Sequence, residues 1–295
     1  MSYQMKRYED LDITDNFMFA KVFSNEDVAK DFLQDILKIS IDKISVVAEA
    51  TTQEDPFHKS VRFDVLVKEE LPSTGRYFDI ELQMEDTGEL PKRARYYQGM
   101  CDLDVLAKGV SYDELREQYI LFICPKDVFG KGKAIYKFQN REEVSPNIVM
   151  GDLCYKNFYI FSKYGDVEDE ATREYMRYFA TKKYESEKMR RIHNLVEDCR
   201  KDPATRKAYM TFEQEMKILY RKSLEKGREE GREQGREEGR AEGREEGRAE
   251  GREEGRAEGA DSKNKELAKA FRDDGISLEI ISKRTGLSPE EIKAL

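Results

Sequence analysis

Residues 78–83 read FDIELQ, and Asp64 stands fourteen residues before Phe78 in the run RFDV. Side chains alternate across a strand, so Asp79, Glu81 and Gln83 share one face while Phe78, Ile80 and Leu82 share the other. On the preceding run Asp64 and Leu66 lie opposite Phe63, Val65 and Val67. If the two runs pair as a hairpin, Asp64 faces Glu81. Two carboxylates a few ångströms apart on a half-buried sheet repel each other and lose hydration, which is costly unless something positive lies between them. A divalent cation is one answer. Magnesium takes hard oxygen ligands, keeps several waters and commonly uses one or two carboxylates together with phosphate oxygens. Held there, it would polarise a phosphate and lower the pKa of an attacking water. A solvated hairpin face also carries Asp, Glu and Gln routinely, so spacing alone leaves both readings open.

Other chemistries fit poorly. The two histidines, His58 and His193, stand far apart without a ligand cluster near either, which argues against a His-rich metal site or a Ser/His/Asp triad. Cysteines 101, 124, 154 and 199 show no CxxC spacing, so they read as reduced, packed thiols. No apolar run approaches the ~20 residues of a membrane span. The N-terminus MSYQMKRYED lacks the hydrophobic core of a signal peptide, and a cytoplasmic location is expected. A net charge of −9 repels polyanions on average, so any nucleic-acid binding must rest on local basic patches.

The elements that must position the acidic face are legible from period and punctuation. TDNFMFAKVFSNEDVAKDFLQDILK, residues 14–38, predicts a short helix, a break near Ser24 and a longer amphipathic helix. DKISVVAEA reads as a first strand, VRFDVLVK as a second and YFDIELQM as a third, with the turn ELPSTGR closing the hairpin. PKRARYYQGMCDLDVLAKG begins with Pro91 in its first turn and stops at Gly109, as a helix should. Tyr96, Tyr97 and Phe122 are expected in the core. QYILFICP is a buried strand, and short strands and turns follow from 130 to about 165, with GKGK at 130–133 as a basic turn. From Asp166 to Leu224 the pattern is helical and charged, broken at Pro203.

Residues 227–259 repeat Gly-Arg-(Glu/Ala)-(Glu/Gln) every four residues, with eight arginines against twelve glutamates, net −4. Glycine costs about 1 kcal/mol per helical position relative to alanine, so the isolated segment is marginal as a helix. It reads as a solvated spacer or as helices associating through a glycine seam. That seam would wind, because a four-residue step advances about 40° per repeat. Beyond it, Leu267, Ala270, Phe271, Ile276, Ile280, Ile281, Leu287 and Ile292 predict a miniature three-helix core that resembles a helix-turn-helix. Glu279, Glu290 and Glu291 would oppose a phosphate there, so a protein-interaction cap fits equally well.

Asp64 followed by Glu81-Leu82-Gln83, within the order helix, three strands, helix, strand, resembles the PD-(D/E)XK nuclease fold, with Gln83 where lysine is usual. TDNFMFAKVF, FDIELQ, RARYYQGMCDLDVLAKGVSYDEL, YILFICPKDVFGKGKAIYKF and the glycine-arginine-glutamate tail look like stretches of PD-(D/E)XK nuclease family transposases, also called Rpn-type recombination-promoting nucleases. The resemblance covers roughly residues 10–260. It implies an α/β, restriction-endonuclease-like core, with a mixed central sheet flanked by helices, over residues 1–165. A charged helical extension (166–226), the repeat (227–259) and a small helical C-terminal segment (260–295) then follow.

By that resemblance the chain is a magnesium-dependent DNA endonuclease, with manganese able to substitute, linked to recombination or mobile elements. Asp64 and Glu81 would hold the metal, and Gln83 would orient the water or touch the scissile phosphate. Asp15 and Asp79 are accessory acids, Asp79 either strengthening metal capture or merely solvated at the strand's edge. Lys92, Arg93, Arg95 and Tyr97 would contact DNA phosphates. A neutral glutamine in place of lysine leaves more of the electrostatic stabilisation to the metal. Two alternatives stand beside this reading: a nuclease acting on RNA or structured DNA, and a catalytically weak DNA- or partner-binding module. No membrane contact is implied, and a homodimer or higher oligomer would form through the C-terminal helical and repeat region.

Overall fold

The computed structural model describes residues 5–48, 51–52, 61–71, 75–106 and 109–295 of the chain. Two helices come first. α1 (Asn16–Phe23) buries Phe17, Phe19 and Phe23, and α2 (Glu26–Leu37) starts where the Asn25 side chain accepts the Val28 N–H at 3.1 Å. Glu26 and Asp27 in the first turn of α2 match the helix dipole, and left-handed Lys38 ends it. The strands β1 (Ile44–Ala48), β2 (Thr51–Thr52), β3 (Val61–Arg62), β4 (Val65–Glu69) and β5 (Tyr77–Leu82) follow. Then come α3 (Leu90–Val105), β6 (Gln118–Cys124), β7 (Ile135–Phe138) and β8 (Cys154–Ile160), and the helices α4 (Glu170–Thr181), α5 (Glu187–Lys201), α6 (Pro203–Asp273), α7 (Leu278–Thr285) and α8 (Pro289–Ala294).

The central sheet is mixed, with strand order β1-β4-β5-β6-β8-β7. β4 pairs antiparallel with β1 and β5, β6 runs parallel to β5 and β8, and β7 closes the edge antiparallel to β8. Parallel neighbours need a crossover, and α3 is the one between β5 and β6. That connection brings α3 over one face. Beneath it Leu66, Ile120, Phe122, Phe158 and Ile160 pack with Leu90, Ala94, Tyr97 and Cys101. The other face, carrying Val65, Val67, Phe78, Ile80, Leu82 and Leu121, is covered by α1, α2, α4 and α5. Pro203, expected as a break, opens α6.

Three expectations are corrected. VRFDVLVK is not one strand: β3 pairs with β2 in a separate two-stranded sheet, and the chain bends at Asp64 before β4. The bend carries Phe63 to the side of Leu66, where it meets the Tyr97 ring edge-on at 5.3 Å, and not to the side of Val65 and Val67. The segment expected to hold short strands and turns contains β8, a seven-residue strand inside the sheet. Tyr97 and Phe122 are buried as expected, whereas Tyr96 is exposed. GKGK is a turn, with Gly130 and Gly132 at positive φ, and the Asp127 carboxylate accepts the Phe129, Gly130 and Gly132 N–H groups. All four cysteines are free, and no described helix is long and apolar enough to cross a membrane. His58 and the tip of the expected ELPSTGR turn, residues 72–74, lie outside the described residues.

The chain divides into two units, Met1–Glu215 and Met216–Leu295. In the second, Ala268, Ile281, Leu287 and Ile292 form a small core with Phe271, Ile276 and Leu278 against it. Leu267 and Ile280 are exposed, because the helical phase turns Ala268 and Phe271 inward instead. Residues 227–259 lie within α6 and are exposed throughout. A Cβ at any of the nine repeat glycines would meet nothing within 4 Å, so in the single chain their smallness serves no packing.

Phe23 is fully buried, stacks on Phe19 at 4.4 Å between ring centres and meets Phe32 edge-on at 5.1 Å. Phe23→Ala is expected to lower stability by about 3–5 kcal/mol in urea titration, against about 0.5 kcal/mol or less for Tyr112→Ala at an exposed position.

Candidate active site

The β4–β5 register pairs Val65 with Ile80 and Leu66 with Asp79, so one step further Asp64 meets Glu81. Two hydrogen bonds fix that step. The Asp64 N–H donates to Glu81 Oε1 at 3.0 Å, and Asp64 Oδ2 accepts the Leu82 N–H at 3.0 Å. Each residue therefore holds the other's strand through a carboxylate oxygen, and β4 and β5 are pinned where their acids converge. Glu81 and Asp79 are buried while Asp64 is partly exposed at the bend.

Arg93, in the first turn of α3, reaches down to this face. Its Nη2 donates to Glu81 Oε2, its Nη1 to Gln83 Oε1 at 2.5 Å and its Nε to the Tyr97 hydroxyl at 2.7 Å. The guanidinium lies 5.0 Å from the Tyr97 ring centre and 5.6 Å from that of Phe122. Burial works against its charge, and the Glu81 carboxylate, the Tyr97 hydroxyl and the Asp64 charge together more than offset that, so its pKa is raised.

Among the described residues of this face negative charge still exceeds positive. Burial pushes the Glu81 carboxyl up to about 8, with the Asp64 charge adding to the rise and Arg93 opposing it. Burial first, then the Glu81 and Asp64 charges, holds Asp79 well above the ordinary carboxylate range. Among the described residues neither Asp79 oxygen meets a donor. An Asp79 solvated at the strand's edge is excluded, because α3 covers the strand there.

The orphaned Asp79 oxygens and the raised Glu81 mark a site short of positive charge, which is what a divalent cation supplies. Asp64 and Glu81 are the two carboxylates that could hold one. Among the described residues no group of three or more His, Cys, Asp or Glu is arranged to hold a metal. A two-carboxylate set suits magnesium, which completes its octahedron with water and phosphate oxygens. Gln83 is tied down on both ends of its amide, donating to the Glu85 carbonyl as well as accepting from Arg93.

The remaining sequence candidates fall in different places. Asp15 immediately precedes α1 on the opposite face of the sheet, where it pairs with Lys6 at 2.9 Å and accepts the Asp12 N–H at 2.7 Å. It does not join Asp64 and Glu81. Lys92 and Arg95 point to solvent, while Arg93 and Tyr97, expected on phosphates, are turned inward to the carboxylates. Their four-residue spacing, which puts both on one helix face, is the signal in the sequence for that inward pair.

An α/β sheet with a hairpin carrying Asp64 and Glu81, crossed by a helix that covers its acidic face, has the architecture of a PD-(D/E)XK nuclease core. The family model described as PD-(D/E)XK nuclease family transposase matches residues 13–230, and the chain belongs to that family. No curated protein and no solved structure matches the chain.

The raised Glu81 has a measurable sign. A carboxyl whose pKa is raised on folding holds a proton that the unfolded chain releases near 4.5, so its contribution favours the fold at low pH and is lost as pH rises toward about 8. In EDTA, the melting temperature of the wild type relative to Glu81→Gln is expected to fall across that window. A difference that stays flat with pH would rule out a Glu81 buried this way.

Proposed function

We propose that this chain is a metal-dependent DNA endonuclease that hydrolyses phosphodiester bonds at the Asp64–Glu81 face, in the service of recombination or mobile elements. The observation that carries the reading is the uncompensated charge of that face: Asp79 without a donor, and Glu81 raised despite Arg93. Family membership supports the same class of chemistry.

In this reading Asp64 and Glu81 hold magnesium, with manganese able to replace it. The bound ion supplies charge to the phosphate and a more acidic water. Gln83, held through its Oε1 by Arg93 and through one N–H by the Glu85 carbonyl, turns its remaining amide N–H to the water or the scissile phosphate. Arg93 brings the permanent positive charge that the strand position lacks, so developing phosphate charge is met by a cation from α3 and not from β5. Tyr97 and Phe122 flank the guanidinium and keep it on the carboxylates. Lys92 and Arg95, on the exposed side of the helix start, attract the backbone of the strand being cut. Cutting both strands with one centre per chain takes two copies, and residues 227–259 are the segment we assign to that association.

One feature favours a slower alternative. Arg93 is bonded to the Glu81 oxygen that a metal would share, so metal capture competes with an existing ion pair. A domain that binds DNA or a partner and cuts weakly follows if the pair wins.

Plasmid cleavage by the purified protein separates these readings. Nicking or linearisation is expected with magnesium or manganese and not with EDTA, and Asp64→Ala or Glu81→Ala should each reduce it by more than about 100-fold, beyond what loss of an outer-shell partner typically causes. Arg93→Ala is expected to lower the rate by about 10²–10³ at saturating metal, as loss of a transition-state charge donor does. A wild type silent on DNA, or variants that cut as well as it does, would move the binding-module reading ahead.

A further inference from the structure

A cleft of about 600 Å³ opens between α3 and the β7–β8 edge of the same sheet. Its α3 wall is the flank opposite to Arg93 and Tyr97: the helical phase sets Arg95 about half a turn round from Arg93. Its floor is aromatic. Phe129 meets Phe158 edge-on at 4.9 Å between centres and lies 5.0 Å from Phe138, and Phe138 is 43% exposed at the end of β7. Arg95 and Lys156 line the cleft without an ion pair among the described residues. Its acids are engaged: Asp152 accepts from Asn140 Nδ2 at 2.5 Å and Asp102 from Gln118 Nε2 at 2.5 Å.

We propose that this cleft receives an unpaired nucleobase of the strand being cut, next to the scissile phosphate, so that the preferred substrate is single-stranded or locally opened DNA. The assignment rests on the nuclease reading for its ligand class. An exposed phenylalanine face set over two further rings is a stacking platform that accepts any base. Two cations uncommitted among the described residues match the phosphates on either side of that base, while Asn140, bonded to Asp152 through one N–H, keeps its amide oxygen and second N–H for a base edge. A base inside a duplex cannot reach the floor, because its faces are already stacked; a splayed one can. The cleft shares α3 with the acidic face, so one helix positions the reacting phosphate on one flank and a neighbouring base on the other.

The test uses the full chain in EDTA, where binding is read without cleavage. A fluorescein-labelled oligonucleotide is titrated as single-stranded DNA, as a blunt duplex and as single-stranded RNA of the same sequence. The single DNA strand is expected to bind about tenfold tighter than the duplex. Phe138→Leu keeps an apolar side chain but removes the aromatic face, and should cost about tenfold on the single strand and less than about twofold on the duplex. Lys156→Gln, which leaves the floor intact, should lower the slope of log affinity against log salt by about one phosphate contact on the single strand. Equal affinity for both DNA forms, a Phe138→Leu protein of unchanged melting temperature and unchanged affinity, an unchanged salt slope in Lys156→Gln, or a preference for RNA would each overturn the proposal. Magnesium-dependent plasmid cutting by the wild type decides the nuclease reading separately. Cutting without the single-strand preference removes the cleft alone, and the preference without cutting removes the nuclease alone.

Discussion

Two carboxylates are buried side by side on β5, and the rest of this face is arranged around keeping them there. An isolated ionised carboxylate in an apolar interior is costly, and Asp79 sits between Leu66 and Ile120 in the sheet. The described cation set against the pair is Arg93, and it comes from a helix. The α3 crossover is thus more than a lid. Its first turn must land where the guanidinium reaches Glu81, and Ala94 and Tyr97 pack so that it does. Hydrophobic burial on the α3 side and electrostatic balance within the acidic face therefore depend on the same helix position.

Carrying the cation on a helix and not on the strand changes how the face behaves. A lysine two residues after Glu81 would be a flexible point charge on the same backbone. Arg93 is planar, permanently charged and held by three different groups, Glu81, Gln83 and Tyr97. Its charge is therefore fixed in space but conditional on α3 staying docked. Phe63 ties the Asp64 bend to Tyr97, so the same aromatic contact joins the strand that carries one acid to the helix that carries the cation.

Much of this was legible in the sequence, and the failures have physical reasons. The period-two pattern of FDIELQ and the hairpin logic located Asp64 opposite Glu81, because register on a one-sided apolar strand is strongly specified. The helix boundaries at Ser24 and Pro203 were legible because caps and prolines are local signals. Phe63 was misplaced because the apolar alternation of VRFDVLVK suits one continuous strand, and the bend comes where Asp64 bonds across to β5. Arg93 turned inward where a solvated or phosphate-facing side chain was expected, since a basic helix start looks the same in all three cases. Asp79 looked like an edge residue because burial by a crossover helix is a long-range fact. In the C-terminal core, small apolar residues on successive helix positions left the phase open, and Ala268, not Ala270, faces in. Asp15 was carried by resemblance alone, and its carboxylate is spent on Lys6 and the Asp12 N–H.

The mutual bonding of Asp64 and Glu81 also bears on how such a chain can change over generations. Loss of one codon within β5 would rotate every following side chain to the opposite face, sending Glu81 into the layer of Phe78 and Ile80 and breaking the bond to Asp64. Loss of two would restore the alternation with shifted partners. Strand length here is thus inherited in pairs, whereas the exposed four-residue units of 227–259 can be gained or lost singly without disturbing any packed side chain. One chain joins a segment under strict length parity to another that is nearly free of length constraint.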